Sequence, residues 1–545
     1  MMNFQLNVSA LVRRAAALFP DKTITTRLHD GSLHKTTYAS LIGRARRLSV
    51  ALSGLGVRPG DRVATLAWNS HLHLEAYLGI PSAGAVLHTL NVRLHPDELA
   101  YIVSHAEDRV LLVDSSLLPL LEQVRSKISI PHVVVLDGDA TNGDIAYEQL
   151  LAAADPGRFV EQDSDEEAAA ALCYTSGTTG RPKGVVYSHR AIVLHSLVHG
   201  VRDCLDIGES DIVCPIVPMF HVNAWGLPFT ATLFGAAQVF PGRFLDATSL
   251  LDLMSRERVT VTAGVPTVWL SILQRLDQGT KEYDLESLRM IISGGSAAPA
   301  SLIRAFEERH GLRLVQAWGM TELTPFGSVC NVPSRLATAS PDDALAYRSM
   351  QGTPLPFVEF RAASETGPAP WDGLTMGELE VRGPWVVDQY YKGDPNDDRF
   401  TADGWFKTGD IVTIDPSGCI RITDRCKDLV KSGGEWISSV ALEGALMGHP
   451  AVSEAAVVAV PHPKWSERPL AVVVLKPACE ASMTELQSYL SRQFAKFWIP
   501  DAIEFVPAIP RNSSGKFLKS ALRDQYRHYY DRIGDRLREF SARTT

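Results

Sequence analysis

Two hydrophobic rhythms alternate through the first three-quarters of the chain. Short β-branched runs such as Arg62-Val63-Ala64-Thr65-Leu66, Arg109-Val110-Leu111-Leu112-Val113 and His132-Val133-Val134-Val135-Leu136 read as buried strands. Amphipathic stretches lie beside them, among them Pro96-Asp97-Glu98-Leu99-Ala100-Tyr101-Ile102-Val103, which reads as a helix. Continuous apolar strands flanked by helices predict an α/β arrangement in which both faces of a sheet are covered. No repeat of fixed period and no low-complexity tract interrupts the pattern.

The rhythm changes near residue 425. Upstream, Gly377-Glu378-Leu379-Glu380-Val381-Arg382-Gly383 and the turn Asp415-Pro416-Ser417-Gly418 mark a β-rich region. Downstream, Ala455-Ala456-Val457-Val458-Ala459-Val460 and Ala471-Val472-Val473-Val474-Leu475 read as strands, followed by a helix over Thr484-Glu485-Leu486-Gln487-Ser488-Tyr489-Leu490. The expectation is a large N-terminal domain of layered sheets and helices over 1–425 and a small α+β domain over 426–545.

A chain of 545 residues is long for a single core, which fits that division. A net charge of -9 argues against a general nucleic-acid binder. The seven cysteines, Cys173, Cys204, Cys214, Cys330, Cys419, Cys426 and Cys479, are scattered with no CxxC pair. They predict reduced, buried thiols in a cytoplasmic protein rather than a disulfide framework or a zinc site. The start, Met1-Met2-Asn3-Phe4-Gln5-Leu6-Asn7-Val8, lacks the basic end and apolar run of a secretory signal. Between Asp211 and Arg243 there is no Lys, Arg, Asp or Glu, but Pro215, Pro218, His221, Asn223, Gly226 and Pro228 break the stretch. Buried strands and the wall of an apolar pocket suit it better than a membrane-spanning helix.

Tyr174-Thr175-Ser176-Gly177-Thr178-Thr179-Gly180-Arg181-Pro182-Lys183-Gly184 packs three glycines and four Ser/Thr hydroxyls into one basic loop. Such a loop offers freely oriented backbone N–H donors to a polyphosphate, and it is not a P-loop, because GxxxxGK[ST] does not fit it. In its exact order the loop resembles the signature of the adenylate-forming superfamily, which includes acyl-CoA synthetases, luciferases and peptide-synthetase adenylation domains. Four further segments resemble that family's motifs in their order: Gln316-Ala317-Trp318-Gly319-Met320-Thr321-Glu322, Gly404-Trp405-Phe406-Lys407-Thr408-Gly409-Asp410, Asp424-Arg425-Cys426-Lys427-Asp428 and Pro510-Arg511-Asn512-Ser513-Ser514-Gly515-Lys516.

The resemblance implies ATP and coenzyme A as co-substrates, Mg²⁺ as cofactor and a two-step reaction. A carboxylate attacks the α-phosphate of ATP to give acyl-AMP and pyrophosphate, and the thiol of CoA then displaces AMP. By the resemblance, Lys516 supplies positive charge where two anions meet, with Thr175 and Glu322 holding Mg²⁺ and His221 joining them as a catalytic residue. Nucleotide contacts are implied for Thr175, Ser176, Gly177, Thr178, Thr179, Gly180, Lys183, Val222, Gly295, Gln316, Ala317, Trp318, Gly319 and Thr321. They are implied also for Asp410, Arg425, Lys427, Lys431 and Trp436. Asp410 would accept hydrogen bonds from the ribose hydroxyls, and Gly295 in Ser293-Gly294-Gly295-Ser296 would let backbone approach adenine. Lys427 stands at the hinge about which the mobile small domain turns, and Ser432, Gly433, Gly434 and Glu435 would shape the CoA channel.

Lys427-Asp428-Leu429-Val430-Lys431-Ser432-Gly433-Gly434-Glu435-Trp436, Pro218-Met219-Phe220-His221-Val222-Asn223-Ala224-Trp225-Gly226 and Pro461-His462-Pro463-Lys464-Trp465 are similar to the forms in bacterial medium- and long-chain fatty-acyl-CoA synthetases. His221, Trp225 and Gly226 are the candidates for an apolar acyl pocket, with Trp225 its gate. A short sulfur-bearing acid such as 3-methylthiopropionate is an alternative substrate, and loading of a carrier protein an alternative second step. No carrier domain is evident before Thr545. The resemblance also implies a homodimer, with a small-molecule carboxylic acid, ATP and CoA as partners and no nucleic acid.

Overall fold

The computed structural model describes residues 1–175, 181–279, 281–364, 367–394, 397–432, 435–511 and 516–530. The β-branched runs become neighbouring parallel strands, Arg62–Leu66 beside Val110–Val113 and that beside His132–Val135. They form the middle of a sheet in the spatial order Ile145–Ala146, His132–Val135, Val110–Val113, Arg62–Leu66, Val86–Thr89, Ala169–Tyr174 and Gly184–Ser188. Only the last pair is antiparallel. The glycine-rich segment that follows Tyr174 therefore joins two adjacent strands at the end of this sheet.

A second sheet carries a parallel core of Leu314–Gly319, Met290–Ser293, Val261–Gly264, Ile212–Pro215, Ala237–Phe240 and Thr23–Arg27, with antiparallel strands at both edges. Ligand sites in open parallel sheets lie beyond the carboxyl ends of the strands. Gly295, Trp318 and Glu322 all sit at such ends, just after Met290–Ser293 or at and beyond the close of Leu314–Gly319. A third sheet is antiparallel and contains Gly377–Arg382, Phe406–Ile414 and Ile420–Arg425. Phe406–Ile414 alternates buried and half-buried positions along its length, the period-two signature of a strand with one covered face.

The small domain has its own sheet, built on the hairpin Val452–His462 and Ser466–Leu475. Ala455 and Val457 face one apolar cluster, with Leu442, Leu446, Leu486 and Leu490. Ala456, Val458 and Val460 face another, with Leu522. Both faces are covered, which is why the run 455–460 is apolar without alternation. The predicted helices appear as Pro96–Ala106 and Met483–Leu490.

The uncharged stretch folds as strand Ile212–Pro215, helix Leu227–Phe234 and strand Ala237–Phe240, all in the interior. Among the described residues no helix is long and apolar enough to cross a membrane. All seven cysteines are free thiols. Five are buried as expected, but Cys426 and Cys479 are exposed, because they lie on surface turns of the small-domain half.

One element has no counterpart in the hydrophobic pattern. Val222, Asn223, Ala224 and Trp225 have φ of 47°, 51°, 49° and 58°, and Gly226 follows at 73°. Four consecutive L-residues thus form a left-handed helical turn, a conformation that costs about 1–2 kcal/mol per residue. Its surroundings hold it. The Cys173 thiol donates to Asn223 Oδ1 at 2.8 Å, Ala224 N–H to the His221 carbonyl at 3.1 Å and Gly226 N–H to the Asn223 carbonyl at 2.9 Å. A Cβ on Gly226 would come within 2.8 Å of His195 Nδ1, so glycine closes the turn for steric reasons as well as conformational ones.

Arg468 organises the small domain from within. Only 6% exposed, it forks onto both Asp501 oxygens at 2.6 and 2.8 Å and donates to the carbonyls of Ile499 and Phe497 and to Ser432 Oγ. Arg468→Leu strands these acceptors and should lower small-domain stability by about 2–3 kcal/mol. Native-state hydrogen exchange should show the loss at Val457 and Val472 while the core strands of the large domain keep their protection.

Candidate active site

Asp410, 2% exposed on strand Phe406–Ile414, is oriented from two sides. Trp318 Nε1 donates to its Oδ2 at 2.9 Å, and Arg425 Nε pairs with its Oδ1 at 3.0 Å. The register of the third sheet sets the ion pair, since Asp410 and Arg425 are direct partners across neighbouring strands. Trp318 comes from the second sheet, so its indole N–H joins the two sheets through one carboxylate. Phe360 packs edge-on against the Trp318 ring at 5.6 Å and restricts it further.

Glu322 lies buried in the 3₁₀ turn Thr321–Leu323 and accepts the Tyr390 hydroxyl at 2.7 Å. The same Tyr390 ring sits beneath Lys183, whose Nζ is 4.3 Å from its centroid and is paired with Asp397. Lys183 is in turn tied to Thr175: its N–H donates to Thr175 Oγ1 at 3.1 Å, and its carbonyl accepts Thr175 N–H at 2.9 Å. Tyr390 thus links the end of the glycine-rich segment to the Glu322 turn. No feature of the sequence marked it, because an aromatic in Gln389-Tyr390-Tyr391 is indistinguishable from a core residue until its hydroxyl partner is seen. Thr175 and His221 border one narrow recess together with Tyr174 and Phe220.

Lys516 arrives from the small domain. Gly295, at φ 83°, is where it lands: a Cβ built there would lie 3.2 Å from Lys516 Cε and 3.3 Å from Val265 Cγ1. A side chain at 295 would push the lysine aside. Burial lowers the Lys516 ammonium to about 8; Arg425 adds repulsion, and the carboxylates of Asp410 and Glu322 oppose it. His221 is lowered to about 3, by burial first and then by the charges of Lys516 and Arg93, so it is a neutral imidazole at pH 7. Lys516, Arg425, Asp410, Glu322 and His221 therefore form one electrostatic group drawn from the second and third sheets and the small domain.

Trp225 packs against Phe326 edge-on at 5.6 Å, and a Cβ on Gly294 would meet its Cη2 at 3.0 Å. The proposed gate is thus one residue away from the glycine beneath Lys516. Val222 begins the left-handed turn and is buried. Gln316 turns its side chain elsewhere, taking Ala298 N–H at 2.8 Å and donating to the carbonyls of Arg348 and Met350. It supports the Ser293–Pro299 loop from behind. Ala317 and Gly319 belong to strand Leu314–Gly319, and the Thr321 carbonyl accepts the Tyr187 hydroxyl.

In the small domain, Lys431 and Trp436 pair with each other, with Lys431 Nζ 5.0 Å from the indole centroid. The Ser432 hydroxyl is held by Arg468 at 3.1 Å. Lys427 is exposed, and its carbonyl accepts from Arg523. Ser176, Gly177, Thr178, Thr179, Gly180, Gly433 and Gly434 lie outside the described residues, as does the side chain of Glu435. The carboxylate of Glu322 and the hydroxyl of Thr175 are hard oxygen donors, a set that fits Mg²⁺ better than a softer metal. Among the described residues one group has metal-ligand spacing, His29, Asp114 and Asp137: His29 lies between strands Thr23–Arg27 and Leu33–Thr37 of the second sheet, and Asp114 and Asp137 follow strands Val110–Val113 and His132–Val135 of the first.

The sequence pattern described as AMP-binding enzyme matches residues 12–391, and that described as AMP-binding enzyme C-terminal domain matches 441–516. A long-chain-fatty-acid–CoA ligase of Thermus thermophilus is 52% identical over 538 residues, covering 97% of each chain. A 3-methylmercaptopropionyl-CoA ligase of Ruegeria pomeroyi is 44% identical over 536 residues, covering 97% of this chain and 98% of its own. Among solved structures, an anthranilate CoA ligase in complex with anthranoyl-AMP superposes with a TM-score of 0.85 at 27% identity, over 96% of this chain and 98% of that one.

Trp318→Phe keeps the ring but removes the N–H that orients Asp410. A charge-assisted hydrogen bond is worth about 1.5–3 kcal/mol, so affinity for AMP should fall at least about tenfold. Calorimetric titration with AMP measures it.

Proposed function

This chain belongs to the AMP-binding enzyme family, and we propose that it is an AMP-forming acyl-CoA synthetase acting on medium- to long-chain fatty carboxylates. The reaction runs in two steps. The acid's carboxylate oxygen attacks the α-phosphorus of ATP and expels pyrophosphate, giving acyl-AMP. The CoA thiolate then attacks the acyl carbon and expels AMP, leaving the thioester.

The observation that carries this reading is the approach of Lys516 to Gly295 within the field of Asp410 and Glu322. Two anions must meet in the first step, and a cation poised between them lowers the barrier by stabilising charge that develops only in the transition state. In this reading Asp410 accepts hydrogen bonds from the ribose hydroxyls, with Arg425 holding the carboxylate in place. Lys183 faces the phosphates once they displace Asp397. Thr175 and Glu322 would hold Mg²⁺, which when bound would supply charge neutralisation to the phosphates. His221, neutral and beside Thr175, orients the carboxylate as a hydrogen-bond partner without adding charge.

The second step needs a sulfur nucleophile at the carbonyl that Lys516 has just served. We take the boundary between the domains at 425/426 and the pivot at Lys427. Rotation there withdraws Lys516 and brings the 432–435 segment to line the CoA channel. The buried, uncharged stretch around Trp225, close to Gly294, supports an acyl pocket opening beside the adenylate. The 52% identity to a long-chain ligase favours fatty acids. The 44% identity to a 3-methylmercaptopropionyl-CoA ligase favours a second reading, a short sulfur-bearing acid. A cytoplasmic homodimer completes the proposal.

A panel of acids from 3-methylthiopropionate to palmitate, scored by kcat/KM, tests it. Acid-dependent pyrophosphate and CoA-dependent AMP are expected, whereas ADP as product would refute the mechanism. Lys516→Ala should slow acyl-AMP formation about 10²-fold or more while sparing thioester formation from preformed acyl-AMP. Because burial lowers the Lys516 ammonium to about 8, its charged form dominates below that pH and is lost above it. The kcat/KM for adenylation should therefore fall as pH rises through about 8. The break in kcat should lie higher, since a bound phosphate anion favours the protonated lysine.

A further inference from the structure

The strand that carries Arg425 also carries a second buried acid, and its partners lie across the domain boundary. Asp424 is 1% exposed and is laddered to Ile411 in the third sheet, so it moves with the large domain. Its Oδ1 accepts the N–H of Arg425 at 2.8 Å. Its Oδ2 accepts the N–H of Ser439 at 2.6 Å. Ser439 is the first residue of helix Ser439–Met447, whose Leu442 and Leu446 are packed in the small-domain core.

Two more contacts reinforce the same seam. Ser438, the helix cap, takes Ala441 N–H at 3.1 Å on its hydroxyl oxygen and donates its own proton to the carbonyl of Thr423. Lys519, on helix Lys519–Tyr526, donates to Ser439 Oγ at 2.6 Å, pairs with Glu443 at 2.7 Å, and acts electrostatically on Asp424. A carboxylate thus meets a helix N-terminus within the field of a buried ammonium, a geometry in which each charge-assisted contact counts for more than on a surface.

We propose that Asp424 is a positioning residue for the first half-reaction, clasping the small domain in the orientation that holds Lys516 over Gly295. The inference rests on the two-step ligase reading and on rotation at Lys427. Asp424 lies upstream of that pivot, while Ser439 and Lys519 lie downstream. A rigid turn of the small domain must therefore part the carboxylate from the Ser439 N–H and from Lys519, and return it to them when the enzyme resets. Asp424 biases the equilibrium toward the adenylating orientation, and it does so without touching substrate.

The test uses the full chain and measures the two half-reactions separately. Asp424→Asn retains one acceptor but turns an amide N–H₂ toward a donor. It should reduce acid-dependent pyrophosphate–ATP exchange about tenfold through kcat, leave KM for ATP and acid within about twofold, and leave thioester formation from preformed acyl-AMP equal to wild type or faster. Ser439→Pro approaches the same contact from the other side. Proline is tolerated at a first helical position and lacks the N–H that Asp424 receives, so the same bias is expected. Small-angle scattering with a non-hydrolysable acyl-adenylate analogue should show both variants leaving the wild-type domain arrangement. Equal loss in both half-reactions, or no change in either, overturns the proposal. A bias in one variant without the other overturns it too. Wild-type protein lacking both half-reactions would instead refute the ligase reading.

Discussion

Charge crowding at Asp410 organises the whole site. A carboxylate that is almost entirely out of water has to be matched, and it is matched by an indole N–H from one sheet and a guanidinium from the adjacent strand. Into this neighbourhood the small domain inserts a further cation, Lys516, whose ammonium is repelled by Arg425 and drawn by Asp410 and Glu322. The arrangement is nearly neutral as it stands and becomes anion-rich once a nucleotide enters. In the proposed mechanism a lysine carried by a separate domain is recruited or dismissed by moving that domain as a body, with no rearrangement of the two sheets that carry Asp410, Trp318 and Glu322.

The scaffold keeps the other groups in step through a few shared contacts. Tyr390 is one: its hydroxyl fixes Glu322 while its ring supports Lys183. Tyr391 N–H donates to the Gly184 carbonyl at 2.8 Å, so the segment after strand Gly377–Arg382 is stitched to the strand that follows the glycine-rich segment. The first and third sheets are thereby coupled at the point where phosphates are expected, and a shift of one is felt by the other. Sequence-distant residues acting through one side chain give such a site its precision.

Much of this was legible from the chain alone. The apolar runs 62–66, 110–113 and 132–135 became central parallel strands because nothing but burial on both faces accounts for such runs. The acid and base groups at 322, 410, 425 and 516 stood in ordered motifs, and the fold gathers them. Gln316 shows the limit: its motif membership suggested a nucleotide contact, yet its amide is engaged with the backbone of the 293–299 loop and of Arg348 and Met350. Tyr390 and Asp424 show the converse. Each acts through a partner far away in sequence, Glu322 or Ser439, and a pairing of that kind leaves no periodicity and no local pattern to read. The left-handed turn at 222–225 was equally invisible, since Val, Asn, Ala and Trp have no shared preference for positive φ and adopt it only under tertiary constraint.

If it lines the acyl pocket as proposed, that turn also limits how the substrate range can diverge. In a right-handed helix or a strand, exchanging one residue leaves its neighbours pointing where they did. Here the direction of each side chain from Val222 to Trp225 depends on a backbone hand that all four must adopt together, closed by a glycine with no room for a Cβ. Single exchanges within the segment risk release of the entire turn into an ordinary conformation, which would re-aim Trp225 and Val222 at once. In the proposed acyl pocket, gradual tailoring of chain-length preference would therefore proceed through residues that face the turn from outside, such as Phe326 or the Leu227–Phe234 helix, while the turn itself is inherited as a block.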